Sequence, residues 1–403
     1  MKHQLAQLNS DSKKSIFIVL FLTVIILAIR KTDMLINPQF WAEDGSIFFL
    51  EQYQNGASTF ILFQDYASYL HLVPRLIAFV ADLFPYSFTP AIYSYSSFLI
   101  TLVVVASVFF PRFRVDNKLL FALTIVLIPH YGNEVFLNLT NVQWILAIML
   151  IIVLLKENPA SKYGNILLQY TIDLIIIVIC GLTGPFIILL LPFFVWKTIA
   201  TRKTYNYFIL TIVMAISLIQ LSYIISTPSD SQPIVLNWEI YSQIIGHKLV
   251  GNLFLGHKIP YELNASLLSF FCFSATIAIV YHAFRQQNRL ILFAIGIGLI
   301  IVLATLYKFQ STLVVLISPH LGQRYFYIPY VMIIWSLIEL FKNRTICKIA
   351  LLTIVLISSL TSDFHSQPMV DYDWNSYSKL IGKKDIVIPI NPPGWTLEVE
   401  KRS

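Results

Sequence analysis

HLVPRLIAFVADLF, residues 71–84, is the stretch on which the layout of the chain turns. As a helix these fourteen residues rise about 21 Å, short of the roughly 30 Å of hydrocarbon in a bilayer. On a helical projection His71, Arg75 and Asp82 form one narrow polar stripe with Ala78 between them, while Leu, Val, Ile and Phe cover the rest. The segment reads as an interfacial helix with Pro74 in its first turn. Counted as a membrane span it would invert every later connection.

Around it run eleven apolar blocks of 12 to 21 residues at 15–29, 90–110, 119–131, 142–155, 166–180, 185–196, 207–226, 267–284, 290–307, 326–340 and 349–360. Of the 403 residues 57% are hydrophobic and 12% charged, against about 25% charged in soluble domains. The blocks lack the alternation of barrel strands. The expected fold is therefore an all-α polytopic membrane protein with about eleven transmembrane helices and two juxtamembrane helices in its first exterior loop. Blocks shorter than a full span must extend at their ends or lie buried in the bundle.

Charge fixes the expected orientation. With 71–84 outside the count, 16 of the 28 Lys/Arg fall in short connectors on one side and 16 of the 21 Asp/Glu fall on the other. The basic side is expected to be cytoplasmic, with the N-terminus on it, as for a bacterial inner-membrane protein. The exterior then receives the first loop 30–89, a middle loop 227–266 and a tail 362–403 that follows the membrane domain 1–361. Block 15–29 resembles a signal core, but Arg30-Lys31 follow it directly and it reads as a retained first helix. The scattered basic residues are topology signals, which argues against a nucleic-acid partner. Cys180, Cys272 and Cys347 build no disulfide or metal framework, and no histidine spacing predicts a metal site.

The first loop opens with NPQFWAEDGSIFFLEQYQNG, residues 37–56. If 41–53 is helical, Glu43, Asp44 and Glu51 share one side and Trp41, Phe48, Phe49 and Tyr53 the other, which predicts aromatics in lipid and carboxylates facing a cavity. A solvated acidic face is the plain alternative. For Arg75 the alternative is a stretched pair with Asp82 two turns on.

The runs WAEDG (41–45), SYLHLVPRL (68–76), NLTNVQW (138–144), GQRYFYIP (322–329) and INPPGW (390–395) resemble the GT-C superfamily of membrane glycosyltransferases, and within it a bacterial family akin to the O-antigen glucosyltransferases. The resemblance implies a GT-C-like bundle that moves a hexose, with inversion, from a polyprenyl-phosphate-linked donor to a glycan or lipid-linked glycan at the cell surface, without metal or cofactor. Many GT-C enzymes order the acidic pair Asp-Glu; here it is Glu43-Asp44, which leaves open which one acts as general base. The leaving phosphate calls for cations. Arg75, Arg324 and His71 are the candidates, with Lys248 and Lys258 weaker; Arg324 equally suits a snorkelling anchor.

Sugar recognition calls for amides and an aromatic platform, offered by Asn138, Asn141, Gln143, Trp144, Tyr325 and Trp395. The asparagines also read as helix caps. Asp173 reads either as an intramembrane proton relay or as a residue at the cytoplasmic end of its helix. Residues 386–390 before a double proline predict a short strand and turn over the exterior mouth. Two other classes fit the architecture. A flippase or transporter of lipid-linked glycans predicts charges within helices and paired repeats, and an O-antigen polymerase predicts Arg-rich exterior loops.

Overall fold

A computed structural model describes residues 2–56, 58–227, 237–362 and 364–401, with side chains from residue 13 onward; part of the middle loop, 228–236, lies outside the described residues. A helix occupies each of the eleven apolar blocks: Lys2–Arg30, Thr89–Ser107, Lys118–Leu127, Val142–Leu155, Ile166–Gly181, Phe186–Thr201, Thr204–Ser226, Ala265–Arg285, Arg289–Lys308, Arg324–Leu340 and Thr345–Leu360. Among the described residues four segments are long and apolar enough to cross a membrane: Tyr86–Ser107, Thr204–Ser226, Ala265–Arg285 and Arg289–Lys308. The fold is thus mostly helical, as an all-α membrane protein requires.

Position in the bundle accounts for one of the short helices. Val142–Leu155 is apolar on every face and all but its last residue is buried, so it is the central element and meets protein all round. Ala265–Arg285 buries only Ser269 and Ala283 and stands at the periphery. Segment 71–84 forms the short helix Leu72–Ala81, with Pro74 in its first turn.

The two ends of the bundle differ. One gathers Arg112, Lys156, Asp173, Lys197 and Tyr205; the other gathers the first loop, the turns near 133–141 and 181–184, and the tail. At the latter end two antiparallel hairpins form, Asp65–Tyr66 with Tyr69–Leu70 and Ile386–Ile390 with Trp395–Val399, the second where a strand and turn are expected.

Residues 44–55 are helical, a π-helical turn Asp44–Phe49 running into Leu50–Asn55. Their aromatics, however, do not enter lipid. Phe48, Phe49 and Tyr53 are buried with Phe40, Tyr93, Trp374, Ile388 and Leu397, because the tail returns and covers them. Phe40 and Trp374 meet edge to face at 4.6 Å, and a Cβ on Gly45 would stand 2.9 Å from Ile390 Cδ1. First loop and tail therefore share one apolar core.

Candidate active site

The geometry of the acidic pair starts at the turn before it. Asn391 of the tail donates its backbone N–H to the Phe40 carbonyl (3.1 Å), and the Ala42 N–H donates to the Asn391 carbonyl (2.5 Å). Between these bonds Ala42 is held at φ +42°, in the left-handed region that a Cβ makes costly. Beyond the kink the two acids enter different environments. Asp44 is 1% exposed. Its Oδ1 accepts from the Thr140 N–H (2.7 Å) and hydroxyl (2.6 Å), and its Oδ2 from the Leu139 N–H (3.0 Å). Burial pushes this carboxyl up to about 6 against the pull of those three donors.

Glu43 is half-buried, and its Oε1 accepts from the Tyr66 hydroxyl at 3.0 Å. Among the described residues its second oxygen has no hydrogen-bond partner. Burial and the neighbouring Glu43 charge raise the Tyr66 hydroxyl well above its usual range, so it remains a donor.

Tyr66 is placed by a tight hairpin. Ala67 and Ser68 both take positive φ, +53° and +73°, the pattern of a type I′ turn, and Tyr66 and Tyr69 face each other across it. Gln220 pins this hairpin to the Gly181–Gly184 turn: its side-chain carbonyl accepts from Leu70 N (2.9 Å) and its amide donates to the carbonyls of Gly181 (3.0 Å) and Gly184 (3.1 Å).

Two expected phosphate ligands sit below this surface. His71 is fully buried, its Nε2 3.2 Å from the Tyr66 carbonyl and its ring 4.6 Å from that of Tyr69. Burial, aided by the Arg75 charge, lowers it to about 3, so at neutral pH it is uncharged and supports the hairpin. Arg75 is also fully buried; it lies over the Phe48 ring and pairs with Glu51 at 2.5 Å, not with Asp82. Both are positioning residues in place of anion ligands.

Arg324 retains partial exposure. It pairs with Glu134, lies 5.4 Å from the Tyr325 ring centre, and acts electrostatically on Glu43's partner Tyr66. Lys308 is exposed at the end of its helix, 5.2 Å above the Tyr325 ring, and its charge reaches Tyr69. Gln143 Nε2 donates to the Tyr69 hydroxyl at 3.4 Å, and its buried Oε1 is unpaired. Gly184 leaves room for the Gln143 side chain, since a Cβ at that residue would run into Gln143 Oε1. Trp144 is buried between Phe186 and Tyr325, at 4.8 and 5.2 Å, with its indole N–H unpaired.

Elsewhere the expected ligands are spent on architecture. Asn138 accepts from the Asn141 N–H (2.9 Å), and both side-chain amides donate to the Glu134 carbonyl, so these asparagines shape the turn in place of binding a sugar. Trp395 is 39% exposed at the start of the last strand. Of the weaker phosphate candidates Lys258 is exposed, but Lys248 is buried with its amine donated to the carbonyls of Ser318 and Leu321. Burial lowers that amine to about 7. Asp173 is clamped by Arg112 (2.6 Å), Lys156 and Tyr205 at the basic end, an ion cluster in place of a relay. Lys31, read in the sequence only as a flank of the first helix, is buried 4.9 Å from the Trp41 ring centre, where the charges of Glu134 and Asp44 act on it. Beside it a cavity of about 250 Å³ opens between Trp41, Tyr131, Met369 and Pro392.

Tyr66, Tyr69 and Lys308 are the candidate-site residues that sequence reasoning missed. Lys308 alone had a signal, a cation just past an apolar block on the acidic side. Among the described residues no three His, Cys, Asp or Glu side chains converge to hold a metal. The chain matches no family model, no curated protein and no solved structure.

Proposed function

We propose that the protein is a GT-C-like, inverting membrane glycosyltransferase with eleven spans, whose first loop and tail lie outside the cell membrane and whose donor is a hexosyl polyprenyl phosphate. The observation that carries this reading is Glu43: a half-buried carboxylate with one oxygen free, oriented by Tyr66, next to Tyr69 and the cations Arg324 and Lys308, which flank the buried Tyr325 ring. Glu43 takes the proton of the acceptor hydroxyl as its oxygen attacks the anomeric carbon, and the bond to the phosphate oxygen breaks with its electron pair on the phosphate. That leaving group is already a stable anion, so no acid partner is required, unlike in a glycosidase. Arg324 and Lys308 supply its cations. Gln143 supplies an amide for the sugar, while Tyr325, expected as a sugar platform, is buried against Trp144 and Phe309 and backs the two cations.

The test is transfer of labelled hexose from polyprenyl phosphate to a cell-surface glycan by the purified protein in vesicles. Transfer that depends on the protein is the expected result. Movement of the labelled lipid across the bilayer without transfer overturns the enzyme reading in favour of a transporter, and lengthened glycan chains in place of a single added sugar favour a polymerase.

A further inference from the structure

At the basic end, away from the site above, a cavity of about 540 Å³ lies where the Val142–Leu155 helix ends between Phe186–Thr201 and Arg289–Lys308. Five cations line it, Arg114, Lys156, Lys162, Lys197 and Arg289, against the single carboxylate of Glu157. Their engagement is uneven. Lys156 is committed to Asp173. Arg114 (3.7 Å) and Lys162 (3.4 Å) share Glu157, all three being largely exposed. Lys197 donates to the carbonyls of Leu154 (2.6 Å) and Lys156 (2.7 Å). Arg289 is exposed and forms no ion pair among the described residues.

The charge excess calls for an anion, and the other wall tells which kind. Trp196 and Phe293 stack at 4.7 Å and 8° on the two flanking helices, with Trp196 44% exposed. Leu290 and Phe293 continue that apolar lining. An exposed tryptophan at the end of an apolar helix marks the level where head groups meet acyl chains. A basic pocket between helices at this level has the chemistry of an anionic-lipid head-group site. We propose that this cavity binds the phosphate head group of an anionic membrane lipid, with the acyl chains along the Trp196–Phe293 face. The inference does not depend on the proposed transferase activity.

The experiment measures binding of labelled phosphatidylglycerol to the full-length protein in mixed micelles with excess phosphatidylcholine. Wild type is expected to prefer phosphatidylglycerol, and raised ionic strength to weaken its binding. Replacing both exposed arginines, Arg114→Gln with Arg289→Gln, is expected to lower affinity about thirtyfold. Lys383→Gln with Lys384→Gln, on the exposed tail at the opposite end, is expected to leave it unchanged. Equal binding of the two lipids, or wild-type affinity in the double arginine variant, overturns the proposal. So does competition by soluble glycerol 3-phosphate at the lipid's own concentration, which assigns the cavity to a soluble anion.

Discussion

Asp44 holds three donors of the 139–140 turn out of contact with water, so its replacement acts on architecture before it acts on chemistry. Its raised affinity for a proton has a definite sign. The folded state binds that proton up to about pH 6, whereas an unfolded aspartate releases it near 4, so the stability this group contributes falls as pH rises from about 4 to about 6 and is flat above. Melting temperatures across that window are expected to decline in wild type relative to Asp44→Asn; parallel profiles contradict the assignment. Arg75 and Glu51 are a second case. Arg75→Gln strands a mostly buried carboxylate and is expected to cost about 3 kcal/mol, with Glu51→Gln added to it restoring part of the loss. Strictly additive losses in a double-mutant cycle show that the pair is uncoupled.

At the scale of elements, the apolar blocks and the short helix at 72–81 were legible because their signals are local: length, period and flanking charge. The hairpin at 65–70 was not. A type I′ turn ordinarily announces itself with Asn-Gly, and here Ala67-Ser68 occupies it, so the motif that sets Tyr66 and Tyr69 side by side carries no turn signature. The same strain yields a prediction. Ala67→Asn with Ser68→Gly relieves two left-handed residues and is expected to stabilise the protein by about 1 kcal/mol with activity retained. A lower melting temperature shows that the tyrosine pair does not rest on this turn. The lipid-facing reading of Phe48, Phe49 and Tyr53 failed for a related reason: helical periodicity shows that a face is apolar but not what covers it, and the cover comes from Trp374 and Ile388, more than 300 residues away in the chain.

For the whole molecule, the segregation of charge in the sequence reappears as two chemically distinct ends, the Asp173 cluster at one and the first loop with the tail at the other. The positive-inside rule orients them, so a cysteine at Lys383 is expected to react with an impermeant reagent in intact cells and one at Lys162 only after permeabilisation, with Cys180, Cys272 and Cys347 first replaced. The opposite labelling inverts the topology and removes the site from the outer face. The central claim, that Glu43 is the base while Asp44 is architectural, is tested most directly by hexose transfer from polyprenyl phosphate with purified wild type, Glu43→Gln and Asp44→Asn. The prediction is a loss of about 10²-fold or more in turnover for Glu43→Gln with an unchanged melting temperature. Full turnover in Glu43→Gln contradicts it.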